Sequence, residues 1–185
     1  KLRAESLEEN TLIFFLSDNG GPTRELTSSN APLREGKGTV YEGGVRVPFL
    51  MQWKGIVPKG QTYDKPVISL DLFATSTALA KFRIKRPLDG VNLIPFLTGK
   101  NKGTPHQTLY WRLGSRSAIR HGGWKLLRNP RRGQKPQWEL YNLTEDASEK
   151  KDLASKRTDK VDELLAQWEK LNAKMIDPIW QPNRK

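Results

Sequence analysis

Cysteine is absent from the 185 residues. That excludes disulfides, thiolate metal sites and cysteine nucleophiles within this sequence, and it leaves the redox compartment open. Long hydrophobic runs are absent as well. None approaches the ~18–20 apolar residues that a membrane helix needs, so no membrane partner is indicated. No secretory leader is visible, since Lys1 to Glu9 is polar and reads as the tail of a helix. Histidine is scarce, with only His106 and His121. Acidic residues are missing from one long stretch: Gly90 to Trp138 holds ten Lys or Arg and no Asp or Glu. Such a segment repels itself unless something anionic lies nearby. A solvated basic surface, nucleic acid, an acidic partner domain and a sulfated glycan all fit that charge. No recognised nucleic-acid motif appears, which disfavours the second.

What is present is ordinary for a soluble protein, with 36% hydrophobic and 28% charged residues, while the net charge of +12 is unevenly spread. The length suffices for one core, or for one core plus a small lobe. "TLIFFL", Thr11 to Leu16, is apolar on both faces and predicts a buried parallel strand. It runs directly into "SDNGG", Ser17 to Gly21. A long polar loop follows to Glu35 and continues through four glycines between Gly36 and Gly44. Loops of that length inside a compact domain are usually functional or disordered. "VRVPFLMQW", Val45 to Trp53, predicts a second strand. Pro66 to Phe82 predicts a helix capped by Ser69 or Asp71. Composition shifts near Asn101 to Pro105. Beyond it "TLYWRL", "SRSAIRH", "WKLLRN" and "WELYNL" predict a four-stranded antiparallel meander punctuated by Gly114 and by Gly122 and Gly123. Thr158 to Met175 predicts a helix with Val161, Leu164, Leu165, Trp168, Leu171 and Met175 on one face and Thr158 or Asp159 as cap. Trp111, Trp124 and Trp138 are expected to pack against that helix, with stacking on sugar rings or nucleobases as the alternative reading.

Asp18 and Asn19 offer a carboxylate and an amide oxygen. These are hard ligands suited to Ca²⁺ or Mg²⁺ rather than to zinc. Two are too few, because calcium takes roughly six to eight oxygens; a plain turn is the other reading. Lys37, between Gly36 and Gly38, presents a point charge where glycines let backbone come close to a ligand. It is not a phosphate loop, because G-x-x-x-x-G-K-[ST] is absent. Glu42 and Arg46, four apart, predict a salt bridge that shapes the turn. His106 reads as a structural or exposed histidine.

"TLIFFLSDNGG" followed by "PLREGKGTVYEGGVRVPFLMQWKG" resembles the C-terminal half of the sulfatases, members of the alkaline-phosphatase-like superfamily. The resemblance continues in order through "ISLDLFATSTALA", "LDGVNLIPFLTG", "AIRHGGWKLL" and "ELYNLTEDASEKKDLA". It implies an α/β fold: residues 1–103 as the C-terminal part of the main sulfatase domain, and 104–185 as a lobe in which a four-stranded antiparallel sheet packs with a helix. It implies Asp18 and Asn19 as part of a Ca²⁺ site, with Mg²⁺ as the alternative, and Lys37 as a contact to the sulfate ester. It also implies His121, in "IRHGGWKLL", as a residue of the lobe facing the substrate cleft. The family's formylglycine nucleophile arises from C/S-x-P-x-R, and no serine here is followed by that pattern. The nucleophile, the paired aspartates and the other sulfate-gripping groups are therefore expected in an N-terminal part of the same protein, and the 185 residues alone are expected to be inactive and, apart from the lobe from about Thr104 onward, poorly folded. The implied reaction is hydrolysis of a sulfate ester on a sulfated small molecule or glycan, in the periplasm or outside the cell. The alternatives are a phosphonate or phosphate ester hydrolase of the same superfamily, and a non-catalytic basic module that holds polyanions.

Overall fold

The computed structural model describes residues 1–23, 28–130, 133 and 135–176. They divide into two compact units: Lys1–Leu16 with Pro48–Gln107, and Ser17–Val47 with Thr108–Lys185.

In the first unit β1 (Ile13–Leu16) pairs with β2 (Phe49–Gln52). The pairing is antiparallel, which corrects the parallel strand expected from the sequence. An apolar run on both faces asks for cover on both faces, but it does not fix the direction of the neighbour. Phe14, Leu16, Phe49 and Met51 share the half-buried face, and the rings of Phe14 and Phe49 meet edge-on at 6.3 Å. The cross-strand pair Phe15 and Leu50 points the other way and is 67% and 58% exposed. The second predicted strand is shorter than expected, because Glu42–Val45 forms one helical turn, α1, before it. Helix α2 spans Leu70–Leu79 rather than 66–82. Asp71, fully buried, accepts the backbone N–H of Ile68 at 2.8 Å and so organises the chain before the helix. At the far end Lys81 takes the left-handed conformation (φ 54°) and the N–H of Phe82 reaches back to the carbonyl of Thr77, a closure that stops the helix. A short turn, α3 (Ile94–Leu97), follows.

The second unit is built on the predicted meander: β3 (Thr108–Leu113), β4 (Arg116–His121), β5 (Trp124–Arg128) and β6 (Glu139–Asn142), antiparallel in that order. Gly114 and Gly122 turn the first two hairpins, each at φ 58°, where a side chain would be strained. Helix α4 (Thr158–Asn172) covers one face of this sheet. Ile119, Leu126, Leu140, Leu164 and Trp168 form the core there, with Val161, Leu165 and Leu171 packed on it as the helical spacing predicted. Neither Thr158 nor Asp159 caps α4 through its side chain. Asp159 instead takes a two-point ion pair from Arg157. The other face of the sheet carries the polar loop. Val40 and Tyr41 pack on Ala118, Leu127, Tyr141 and Leu143. Burial on both faces explains why β4 and β5 each carry three consecutive buried residues. Trp124 and Trp138 pack on the α4 side as expected; Trp111 lies on the loop side, since it alternates with Tyr110 along β3.

Candidate active site

The segment Ser17–Val47 folds by backbone meeting backbone. Gly20 donates its N–H to the carbonyl of Gly44 at 3.0 Å, and Gly43 donates to the carbonyl of Arg34 at 2.9 Å. A Cβ on Gly20 would stand 1.7 Å from the carbonyl oxygen of Gly43, so no other residue fits that crossing. Gly36 is similar: its Cβ would lie 2.2 Å from the oxygen of Gly21. The glycines beside Lys37 therefore serve close approach of the chain to itself. Asn30 completes the knot. Its Oδ1 accepts the N–H of Gly21 at 2.9 Å, and its Nδ2 donates to the carbonyls of Gly21 and Glu35, each at 3.0 Å. Nothing in the local sequence marked Asn30 for this role, because its partners lie five and nine residues away.

This knot brings two of the sequence-predicted elements together. The N–H of Lys37 donates to the carbonyl of Gly21 at 3.2 Å, which places Lys37 against the turn that carries Asp18 and Asn19. Ser17 Oγ donates to the carbonyl of Asn19 at 2.7 Å and tightens that turn. Lys37 and Asp18 are exposed and Asn19 is half-buried. Among the described residues none of the three side chains is tied up in a hydrogen bond or ion pair. The arrangement therefore presents a carboxylate, an amide oxygen and an ammonium that are free to meet a ligand. As a donor set the two oxygens fit part of a hard-cation site, and no cluster of three or more His, Cys, Asp or Glu that could hold a metal occurs among the described residues.

The remaining candidates lie elsewhere. His106 Nε2 sits 2.8 Å from Asp71 Oδ1, which also accepts the N–H of Val91. It is buried and structural, as its solitary setting suggested. His121 ends β4, its Nδ1 2.8 Å from Thr108 Oγ1. By alternation along β4 it lies on the α4 side of the sheet with Ser117 and Ile119, whereas Arg116, Ala118 and Arg120 face the loop. No described contact joins His121 to Lys37.

Glu42 was expected to pair with Arg46, and the two stand 4.0 Å apart. Its nearer partner is Lys125 of β5, 2.7 Å from Glu42 Oε1. Lys125 also lies 2.9 Å from Glu149 Oε1, and all three side chains are at most 2% exposed. Arg34 donates to the hydroxyl of Tyr141 and to the carbonyl of Glu149, both at 2.8 Å, and its guanidinium stacks 4.1 Å over the ring of Tyr41. Burial and the neighbouring Glu139 push the hydroxyls of Tyr41 and Tyr141 well above the ordinary tyrosine range. Both donate to Glu139. The basic stretch is thus partly engaged from within: Lys125 is paired with Glu42 and Glu149, Arg128 lies over the rings of Trp138 and Trp168, and Arg116 donates to the carbonyl of Gly38.

Residues 1–82 match the sulfatase family model. The chain is 43% identical over 108 residues to human arylsulfatase A, covering 57% of this chain and 21% of that protein. It is 28% identical over 207 residues to a sulfatase of Formosa agariphila, covering 98% of this chain and 36% of that protein. The crystal structure of Ps i-CgsB, also solved in complex with k-i-k-neocarrahexaose, superposes with a TM-score of 0.83 at 34% identity; 97% of this chain aligns with 40% of that one. The chain therefore spans only about a fifth to two fifths of the length of these proteins. The family-model match runs through the strand, the aspartate–asparagine turn and the glycine-rich lysine loop that build the candidate site, and over these residues the chain is similar to the sulfatases.

Proposed function

We propose that the intact protein carrying this sequence hydrolyses a sulfate ester, R–O–SO₃⁻ + H₂O → R–OH + HSO₄⁻, with Asp18, Asn19 and Lys37 as this chain's contribution to the site. The observation that carries the reading is the juxtaposition of Lys37 with the Asp18–Asn19 turn through the Lys37 N–H to Gly21 carbonyl bond. A sulfate ester releases an alkoxide or phenoxide as the S–O bond breaks. The Lys37 ammonium, uncommitted among the described residues, stabilises that developing charge and can protonate the leaving oxygen. Asp18 and Asn19 would hold a Ca²⁺ or Mg²⁺ ion, which when bound polarises the sulfate. Its remaining oxygens, and the formylglycine nucleophile of the family, are assigned to residues outside this sequence. In this reading residues 1–103 belong to the main α/β domain and 104–185 to the C-terminal lobe. His121 contacts the body of the substrate rather than the sulfate, and the protein works in the periplasm or outside the cell.

A sulfated glycan is the proposed substrate class. The net charge of +12 and the complex of the similar Ps i-CgsB with k-i-k-neocarrahexaose support it. The internal commitments of Lys125, Arg116 and Arg128 weigh against a module that merely holds polyanions. The test is release of inorganic sulfate and of inorganic phosphate from matched aryl esters by the intact protein. Sulfate release supports the proposal. Preferential phosphate release moves the protein to the ester-hydrolase alternative, and release of neither removes the enzymatic reading.

A further inference from the structure

Lys125 lies on the loop-facing side of β5, beside Ala118 and Tyr141, and is sealed from solvent. Two carboxylates from separate segments converge on its single ammonium: Glu42 from α1 at 2.7 Å and Glu149 from the turn after β6 at 2.9 Å. Glu149 Oε2 also accepts the N–H of Glu42 at 2.6 Å. Charge is not balanced locally. Glu42 Oε2 and Glu149 Oε1 are both buried without a hydrogen-bond partner among the described residues, so Glu149 Oε1 meets Lys125 as an ion pair; the nearest cation to Glu42 Oε2 beyond Lys125 is Arg46 at 4.0 Å. Arg120, opposite Lys125 in the β4–β5 register, is the further cation whose field reaches Glu42. A buried ionic cluster of this kind adds little stability over well-packed apolar residues, yet removing one partner strands a charge. What it supplies is a single register between the segments that carry its members.

That register reaches the site. Glu42 opens α1, whose Gly43 and Gly44 hold Arg34 and Gly20 through backbone bonds; Gly20 follows Asp18 and Asn19, and Gly21 accepts the N–H of Lys37. We propose that Lys125 is a positioning residue: clamped between Glu42 and Glu149, it seats the Ser17–Val47 loop on the four-stranded sheet and thereby sets where Lys37, Asp18 and Asn19 stand. The catalytic part of this inference rests on the proposed sulfatase reading; the seating of the loop does not.

The experiment uses Lys125→Met, Glu149→Gln and the double variant in the intact protein, with two readouts. One is amide hydrogen exchange resolved by peptide, and the other is kcat and KM for an aryl sulfate. In Lys125→Met the peptides of 17–47 exchange about tenfold faster or more while those of β3 and α4 keep wild-type rates. kcat falls by about 10- to 100-fold, the scale of a misplaced catalytic group, and KM changes by less than about threefold. Glu149→Gln alone is mild. Added to Lys125→Met it restores part of the lost protection and of kcat, because one stranded carboxylate is gone. Should Lys125→Met fail to fold, the double variant recovers the folded protein. Wild-type exchange in 17–47, a uniform rise that includes α4, or a double variant no better than Lys125→Met each overturns the proposal. A wild-type protein that releases no sulfate removes the enzymatic reading, and the exchange arm still decides the clamp.

Discussion

Gly20 shows how one residue type can decide the site. Its Cα stands where the chain crosses Gly43, and a methyl group there would overlap a carbonyl oxygen. Gly20→Ala is expected to destabilise the second unit by about 3 kcal/mol or more, well beyond the usual point substitution; chemical denaturation of the intact protein checks it. The pattern "DNGG" pointed to a special turn, but the partner of the crossing lies 23 residues on, out of reach of local reasoning. The ion partners were hidden for the same reason. Glu42 was visible beside Arg46, while Lys125 is 83 residues away in sequence. Glu149 gives a pH signature. Desolvation raises its pKa above the ordinary carboxylate value, against the pull of Lys125. The folded state therefore binds this proton more tightly than the unfolded state does. Its contribution to stability is present below the unfolded pKa and is lost as pH rises through the raised folded value. Relative to Glu149→Gln, the wild type should lose stability between about pH 4.5 and the raised value. Denaturation of both proteins across pH 4 to 7 reads the difference, and parallel curves would contradict it.

The meander was the most legible element. Short runs of branched and aromatic residues separated by glycine turns gave its four strands almost to the residue, and helical spacing gave the face of α4. Leu164, fully buried in that face, should cost about 2–5 kcal/mol when replaced by Ala, the range for a core leucine. Leu165, half-buried beside it, should cost less; thermal denaturation of the two variants orders them. Caps and pairing direction were less legible. Arg157 draws Asp159 into an exposed ion pair, lowering its pKa to about 2, and this removes the side chain expected to cap α4. The direction of β1 depended on which strand stands beside it, a tertiary fact that an apolar run does not encode.

For the whole molecule, the segment from Ser17 to Val47 joins the C-terminal sheet across the whole intervening stretch Pro48–Gln107. Periodicity could not show that association, since it is made by single contacts such as Arg34 to Tyr141 and Tyr41 to Glu139. The first unit leaves large apolar side chains in the open: Phe15, Leu50, Phe73 and Phe82. Exposed apolar surface beside a strand pair favours association. Residues 1–185 expressed alone should therefore self-associate, and a monodisperse monomer with a cooperative melt would contradict this. None of the helices of the described residues is long and apolar enough to cross a membrane. In the proposed reaction Lys37, seated against the Asp18–Asn19 turn, acts on a sulfate ester. The measurement that tests it most directly is sulfate release from an aryl sulfate at saturating substrate, comparing the intact protein with its Lys37→Ala variant. A fall in kcat of about 100-fold or more is expected for Lys37→Ala, the size of a lost charge-stabilising donor. An unchanged kcat would contradict it.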